Sequence, residues 1–197
     1  MSVALILLGA GLSRRFGADK LEYLFHGKAL GAYPVELFAK QTLSPRIYVT
    51  RSPKRELAGL ARSLGYVVAV NEYPEEGIAS SIRTGISSLT EYKESIEAAL
   101  FAVSDQPFLT ENSIKKMLQI YDRDPDKIVF LGANGQIGNP AIFPAALFPA
   151  LMGLTGDRGG KRIALEHREL IRIAEADHFR ELIDIDTLEQ AKEHIRL

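Results

Sequence analysis

Between Leu8 and Lys20 the chain reads Leu-Gly-Ala-Gly-Leu-Ser-Arg-Arg-Phe-Gly-Ala-Asp-Lys. Gly9, Ala10 and Gly11 are small enough to let the backbone approach a ligand closely. Successive N–H groups in such a turn can form an anion-binding nest. Ser13 adds a hydroxyl, and Arg14, Arg15 and Lys20 add cationic donors suited to phosphate oxygens. These residues offer the grip of a polyphosphate. The bland alternative is a plain glycine turn with solvated basic residues. Three cations and a Ser directly after an apolar run count against it.

Two common phosphate motifs are excluded. A P-loop needs G-x-x-x-x-G-K followed by Ser or Thr, but Gly17 is followed by Ala18, Asp19 and Lys20. The dinucleotide fingerprint G-x-G-x-x-G starts at Gly9 and Gly11, but Arg14 stands where the third glycine belongs and cannot give its close helix–strand packing. A nicotinamide oxidoreductase is therefore a weak reading.

A second polar cluster, Ser104-Asp105-Gln106-Pro107, follows the apolar residues 99–103. A lone carboxylate after such a run suits a hard cation such as magnesium. Residues 71–86 run from Asn71 through Gly77 to Ser80 and Ser81 at a helix start, where free N–H groups can hold an anion or a base edge. Taken alone, that segment is better read as a capped helix. Glu72, Glu75 and Glu76 read as a solvated acidic run, and His26, His167, His178 and His194 have no ligand spacing.

The elements that must position these groups alternate between strand and helix. Strands are expected at residues 3–8, 46–50, 66–70, 99–103 and 127–131, with further candidates at 139–143, 170–174 and 182–186. Helices are expected at 29–40, 53–64 (Ser52 as N-cap and Pro53 first), 79–89, 110–121, 144–152 and 187–195. This predicts an α/β protein, a three-layer α/β/α Rossmann-like arrangement with a mostly parallel mixed sheet. Ligands in such sheets bind outside the carboxyl ends of the strands. Both polar clusters lie there.

The 197 residues fit one domain spanning the chain. Within it, residues from about 1 to 110 are expected to bind nucleotide and those from about 111 to 197 the acceptor. A formal net charge of −1 gives no field that would draw nucleic acid or an anionic membrane, so neither is expected as a partner. No segment is long and apolar enough for a membrane span. The sequence has no Cys, which removes thiolate chemistry and fits a cytoplasmic enzyme.

The segment from Leu8 to Lys20 resembles the N-terminal signature of the MobA/MocA-like nucleotidyltransferases. The resemblance continues through the segment from Asn71 to Ile86, the Asp105-Gln106-Pro107 tripeptide, Gly138-Asn139-Pro140-Ala141-Ile142-Phe143, the stretch from Gly156 to Arg162, and Asp184-Ile185-Asp186-Thr187. It implies a GT-A-like nucleotidyltransferase fold. It places Leu8, Gly9, Ala10, Gly11, Ser13, Arg14, Lys20, Asn71, Gly77, Ser80, Ser81 and Ser104 at the nucleotide. It places Asn139, Pro140, Gly156, Asp157, Gly159 and Arg162 at the acceptor. Asp105 inherits the metal, magnesium or else manganese. The second ligand is Asp184 or Asp186, which alternation puts on one strand face, with Asp186 the preferred choice. Leu188 and Gln190 depart from the family's closing signature.

The resemblance further implies transfer of CMP from CTP to the phosphate of molybdopterin, releasing pyrophosphate. Arg15 and Lys20 would stabilise charge developing on the pyrophosphate. Ala10 is the residue that leans toward cytidine over guanosine. The alternatives are transfer from GTP, transfer to a sugar or alditol phosphate, or a non-catalytic factor that hands the cofactor to a molybdoenzyme. A molybdoenzyme or its maturation chaperone is thus an expected partner.

Overall fold

The structure is a computed structural model that describes residues 2–195. Strand β1 (Val3–Gly9) is buried along its whole length because it lies between parallel neighbours, β4 (Arg46–Thr50) and β6 (Ala98–Val103). A strand covered on both faces needs apolar residues at every position, and VALILLG supplies them. Alternation sends Val3, Leu5 and Leu7 into one core with Val35, Phe38 and Tyr48. It sends Ala4, Ile6 and Leu8 into the other, with Val49, Ile82 and Ile86. Burying each such large side chain is worth about 1.5–3 kcal/mol.

The seven-stranded sheet has the order β5-β4-β1-β6-β8-β7-β9, with β5 (Val67–Val70), β7 (Ile128–Ala133), β8 (Gln136–Pro144) and β9 (Ile171–Glu175) completing it. Only β8 runs antiparallel, to both β6 and β7. A two-residue hairpin, β2 (Leu24–Phe25) and β3 (Lys28–Ala29), stands apart. The helices are α1 (Ala32–Ala39), α2 (Glu56–Ser63), α3 (Ile78–Ser87), α4 (Glu111–Arg123), α5 (Phe148–Met152), α6 (Lys161–Glu166) and α7 (Leu188–Ile195). The chain leaves β1 toward β4 and β5, then returns to the other side of β1 as β6. That reversal puts a switch point between the carboxyl ends of β1 and β6, where Leu8 pairs with Val103.

The mostly parallel α/β fold is as expected. Several boundaries differ from the sequence reading. Helix α1 begins at Ala32, not at residue 29, because Lys28 and Ala29 close the hairpin over His26 and Gly27, both at positive φ. Helix α2 begins at Glu56. Ser52 accepts from the Lys54 amide instead of capping a helix at Pro53, and Arg55 is extended. Residues 144–152 start as a 3-10 turn and become helical only at Phe148. Residues 182–186 are not a strand. They cross the strand ends, and the Ile185 amide donates to the Asp105 carbonyl at 3.0 Å. Asn139 and Pro140 form a bulge in β8 between the pairs Phe130–Ala141 and Leu131–Gly138. A bulge tolerates a residue with no N–H to donate.

Candidate active site

The cleft at the switch point has a volume of about 380 Å³. One wall is the loop after β1, from Gly9 to Arg15. A second is the start of α3, with Gly77, Ile78 and Ser81. The floor is Val103, Ser104 and Asp105. Gly9 is required at the first of these because the Tyr48 ring and hydroxyl lie where a Cβ would stand. Ser13 turns the loop with φ 53°, and its hydroxyl accepts from the Lys20 amide at 3.3 Å. Ala10 borders the cleft and also belongs to the second core.

Lys20 does not line the cleft itself but pairs with Asp105, which does. Its Nζ lies 2.6 Å from Asp105 Oδ2 and 3.0 Å from Asp186 Oδ1. Burial works against the ammonium charge, but the two carboxylates outweigh it and raise the Lys20 pKa. Arg15 Nη2 pairs with the other oxygen of Asp186 at 2.9 Å. Asp184 lies beside this group. Crowding by protein comes first, then the negative charges of Asp105 and Asp186, and together they push its carboxyl up to about 6. Asp186, not Asp184, makes the ion pairs with Lys20 and Arg15.

The Asp186 turn is held by α7. Gln190 Oε1 accepts from the amides of Asp186 and Thr187 at 2.8 and 3.0 Å, and Thr187 Oγ1 accepts from the Gln190 amide. This is a reciprocal cap. Gln190, a departure in the sequence signature, has a structural task here.

The remaining sequence-predicted residues divide. Asn71 is 2% exposed and does not reach the cleft. Its Nδ2 donates to Ser80 and Ser81 at 2.8 and 3.0 Å, and its Oδ1 accepts from the Tyr73 amide. Ser80 also spends its own proton on the Gly77 carbonyl. Asn71 and Ser80 thus shape the start of α3, and Ser81 alone of the three borders the cleft. Glu75 also lines the cleft while staying exposed, in keeping with its reading as solvated, and Glu76 pairs with Arg83 at 2.6 Å.

Among the residues assigned to the acceptor, Asp157 lines the cleft at the switch point, because the Gly156 carbonyl accepts from the Ala79 amide at 3.1 Å and ties that loop to α3. Asn139 and Gly159 line a neighbouring apolar pocket of about 120 Å³, with Phe101, Phe130 and Phe143. Pro140, Gly156 and Arg162 border neither space, and Arg162 pairs with Glu166 on the surface. Behind the loop, away from the cleft, lie Arg51, Arg55 and Asp19, which sequence reasoning missed. The only local sign of them is the basic residues 51–55 directly after β4.

The residues present fit a divalent cation. Asp105 Oδ1 is buried without a protein partner, and Asp186 shares with Asp105 Oδ2 the ammonium of Lys20. Among the described residues no group of three His, Asp or Glu forms a metal cage. Two carboxylates completed by phosphate and water oxygens suit magnesium or manganese. No helix among the described residues is long and apolar enough to cross a membrane.

A family model described as the MobA-like NTP transferase domain matches residues 5–170. The purine catabolism protein PucB of Bacillus subtilis (strain 168) is 25% identical over 194 residues, covering 94% of this chain and 92% of its own. A probable molybdenum cofactor guanylyltransferase of Pyrococcus horikoshii is 33% identical over 88 residues, covering 43% and 45%. Among solved structures, Rv0371c from Mycobacterium tuberculosis H37Rv superposes with a TM-score of 0.82 at 18% identity, covering 100% of both chains. The same protein in complex with manganese gives 0.76 at 16% identity, covering 100% and 99%. At such identities the structural likeness shows the fold alone.

Proposed function

The chain belongs to the MobA-like NTP transferase domain family and is a nucleotidyltransferase of that family, and from this premise we propose that it transfers CMP from CTP to the phosphate of a molybdopterin-type acceptor, releasing pyrophosphate. The observation that carries the reading is the joining, at one switch point, of an amide-rich loop with the cluster of Arg15, Lys20, Asp105 and Asp186. Nucleotidyl transfer asks for positioning and charge neutralisation and for little covalent help.

In this reading an oxygen of the acceptor phosphate attacks the α-phosphorus of the nucleotide, and the bond to the pyrophosphate breaks. The acceptor phosphate is already ionised near neutral pH, so no general base is required. Amides of residues 9–13, with Ser13 and Arg14, hold the triphosphate. Arg15 and Lys20 stabilise the charge that grows on the leaving group. Asp105 and Asp186 would hold a divalent cation, magnesium or manganese, which would neutralise phosphate charge between the reacting groups. Gly77 and Ser81 border the nucleotide, and the segment around Asn139 and Gly159 faces the acceptor. The division of the single domain into a nucleotide half and an acceptor half belongs to this proposal.

A second reading, transfer from GTP, is favoured by the guanylyltransferase relative. Pyrophosphate release, measured for CTP, GTP, ATP and UTP with purified molybdenum cofactor, tests both. Release fastest with CTP supports the first reading, and release fastest with GTP replaces it with the second.

A further inference from the structure

Arg55 reaches the phosphate loop from behind. Its side chain is 8% exposed and stands at the entry to α2. Nη1 donates to the Gly9 carbonyl at 2.7 Å, and Nη2 donates to Asp19 Oδ1 at 2.5 Å. Arg51 repeats the pattern one turn along the loop. Its Nη1 donates to the Gly11 carbonyl at 3.2 Å, and its Nη2 donates to Asp19 Oδ2 at 2.7 Å. One carboxylate therefore ties together two guanidinium forks, and each fork grips a loop carbonyl. None of the three residues lines the cleft.

Peptide planarity gives this arrangement a consequence. In a trans peptide the carbonyl of one residue and the N–H of the next point opposite ways. Holding the Gly9 and Gly11 carbonyls at the rear turns the Ala10 and Leu12 amides toward the front. A loop with open space around Gly11 is otherwise free to turn its peptides over. The charges of Arg51 and Arg55 are balanced by Asp19 and by Glu22, which lies 3.6 Å from Arg55 Nε. The cluster therefore acts by orientation, not by drawing anions from a distance.

We propose that Arg55, with Arg51 and Asp19, is the positioning element of the phosphate loop, setting its affinity for polyphosphate without touching the ligand. This rests on the reading of the loop as the triphosphate site. The test is binding of inorganic pyrophosphate to the full chain in magnesium buffer, by isothermal titration calorimetry, for the unaltered protein and for Arg55→Ala, Asp19→Asn and the control Arg62→Gln. Arg62 lies on α2 and donates to the exposed Pro53 carbonyl, away from the loop. Arg55→Ala and Asp19→Asn are expected to weaken binding about tenfold or more, the size of a lost charge-assisted hydrogen bond, and the control to leave it unchanged. Millimolar guanidinium, far below denaturing levels, is expected to restore binding to Arg55→Ala, whereas ammonium is not. If Arg55→Ala does not fold, Asp19→Asn decides by the same loss. Unchanged affinity in the folded variants, or a loss in Arg55→Ala that guanidinium cannot repair, overturns the positioning role. Absence of pyrophosphate binding by the unaltered protein overturns instead the reading of the loop.

Discussion

The Lys20 ammonium stands between Asp105 and Asp186, 2.6 Å from one carboxylate and 3.0 Å from the other. It joins the end of the loop after β1 to the floor of the cleft and to the turn before the last helix. Replacing it by Met keeps the length but leaves Asp105 without its cation and Asp186 with Arg15 alone. Lys20→Met is expected to lower kcat/KM for pyrophosphate release by about a hundredfold or more, as losing one preorganised electrostatic group does, with the circular dichroism spectrum retained. A variant within threefold of the unaltered rate would remove Lys20 from the chemistry.

The orphaned Asp105 Oδ1 supports a cation held there. Chelation with EDTA is expected to stop pyrophosphate release, and added magnesium or manganese to restore it. Asp105→Ala is expected to abolish turnover with the fold intact. Asp186→Asn is expected to raise the metal concentration for half-maximal rate by about tenfold or more. Full activity in EDTA would show that the carboxylates serve only Lys20 and Arg15.

Asn71 and Ser81 can be told apart. Asn71 bonds two hydroxyls and a backbone amide out of reach of the cleft, so Asn71→Ala leaves buried polar groups unpaired. It is expected to cost about 1–3 kcal/mol of stability, seen as a lowered Tm. Ser81→Ala is expected to raise the KM for nucleotide while moving Tm by less than Asn71→Ala. The reverse pattern would return Asn71 to direct nucleotide contact.

Gly77 links the two halves of the cleft. It has φ 83°, and a Cβ there would meet Asp157 Oδ1 and the Gly156 backbone. Gly77→Ala combines strain with collision and is expected to cost about 1–3 kcal/mol. The expected readouts are a lower Tm in calorimetry and weaker nucleotide binding, because the loop carrying Asp157 must move. An unchanged Tm would mean that this loop is not held against α3.

The strands and the polar clusters after β1 and β6 were legible because apolar runs and glycine punctuation are local signals. What depends on contact between distant segments was not. The hairpin at Leu24–Ala29 lay in a stretch that shows no periodicity and overlapped the expected helix only at Ala29, and Asp184-Ile185-Asp186 carries a strand's alternation without a neighbouring strand. Ile185 nonetheless enters a small core with Phe16, Phe25 and Leu30, which leaves the flanking carboxylates facing Asp105. Arg55 meets Asp19 across 36 residues, and no spacing rule reports such a pair. Asn71 and Ser80 fit a binding motif in sequence, yet in the fold they satisfy one another.

The proposed role of this cleft is to activate a nucleoside triphosphate for transfer to a phosphorylated acceptor. The most direct measurement is pyrophosphate release by the purified protein with each of CTP, GTP, ATP and UTP, with and without molybdenum cofactor. The predicted result is release that requires both nucleotide and acceptor, is fastest with CTP, and disappears in Asp105→Ala. No release with any of the four nucleotides in the presence of the acceptor would contradict it.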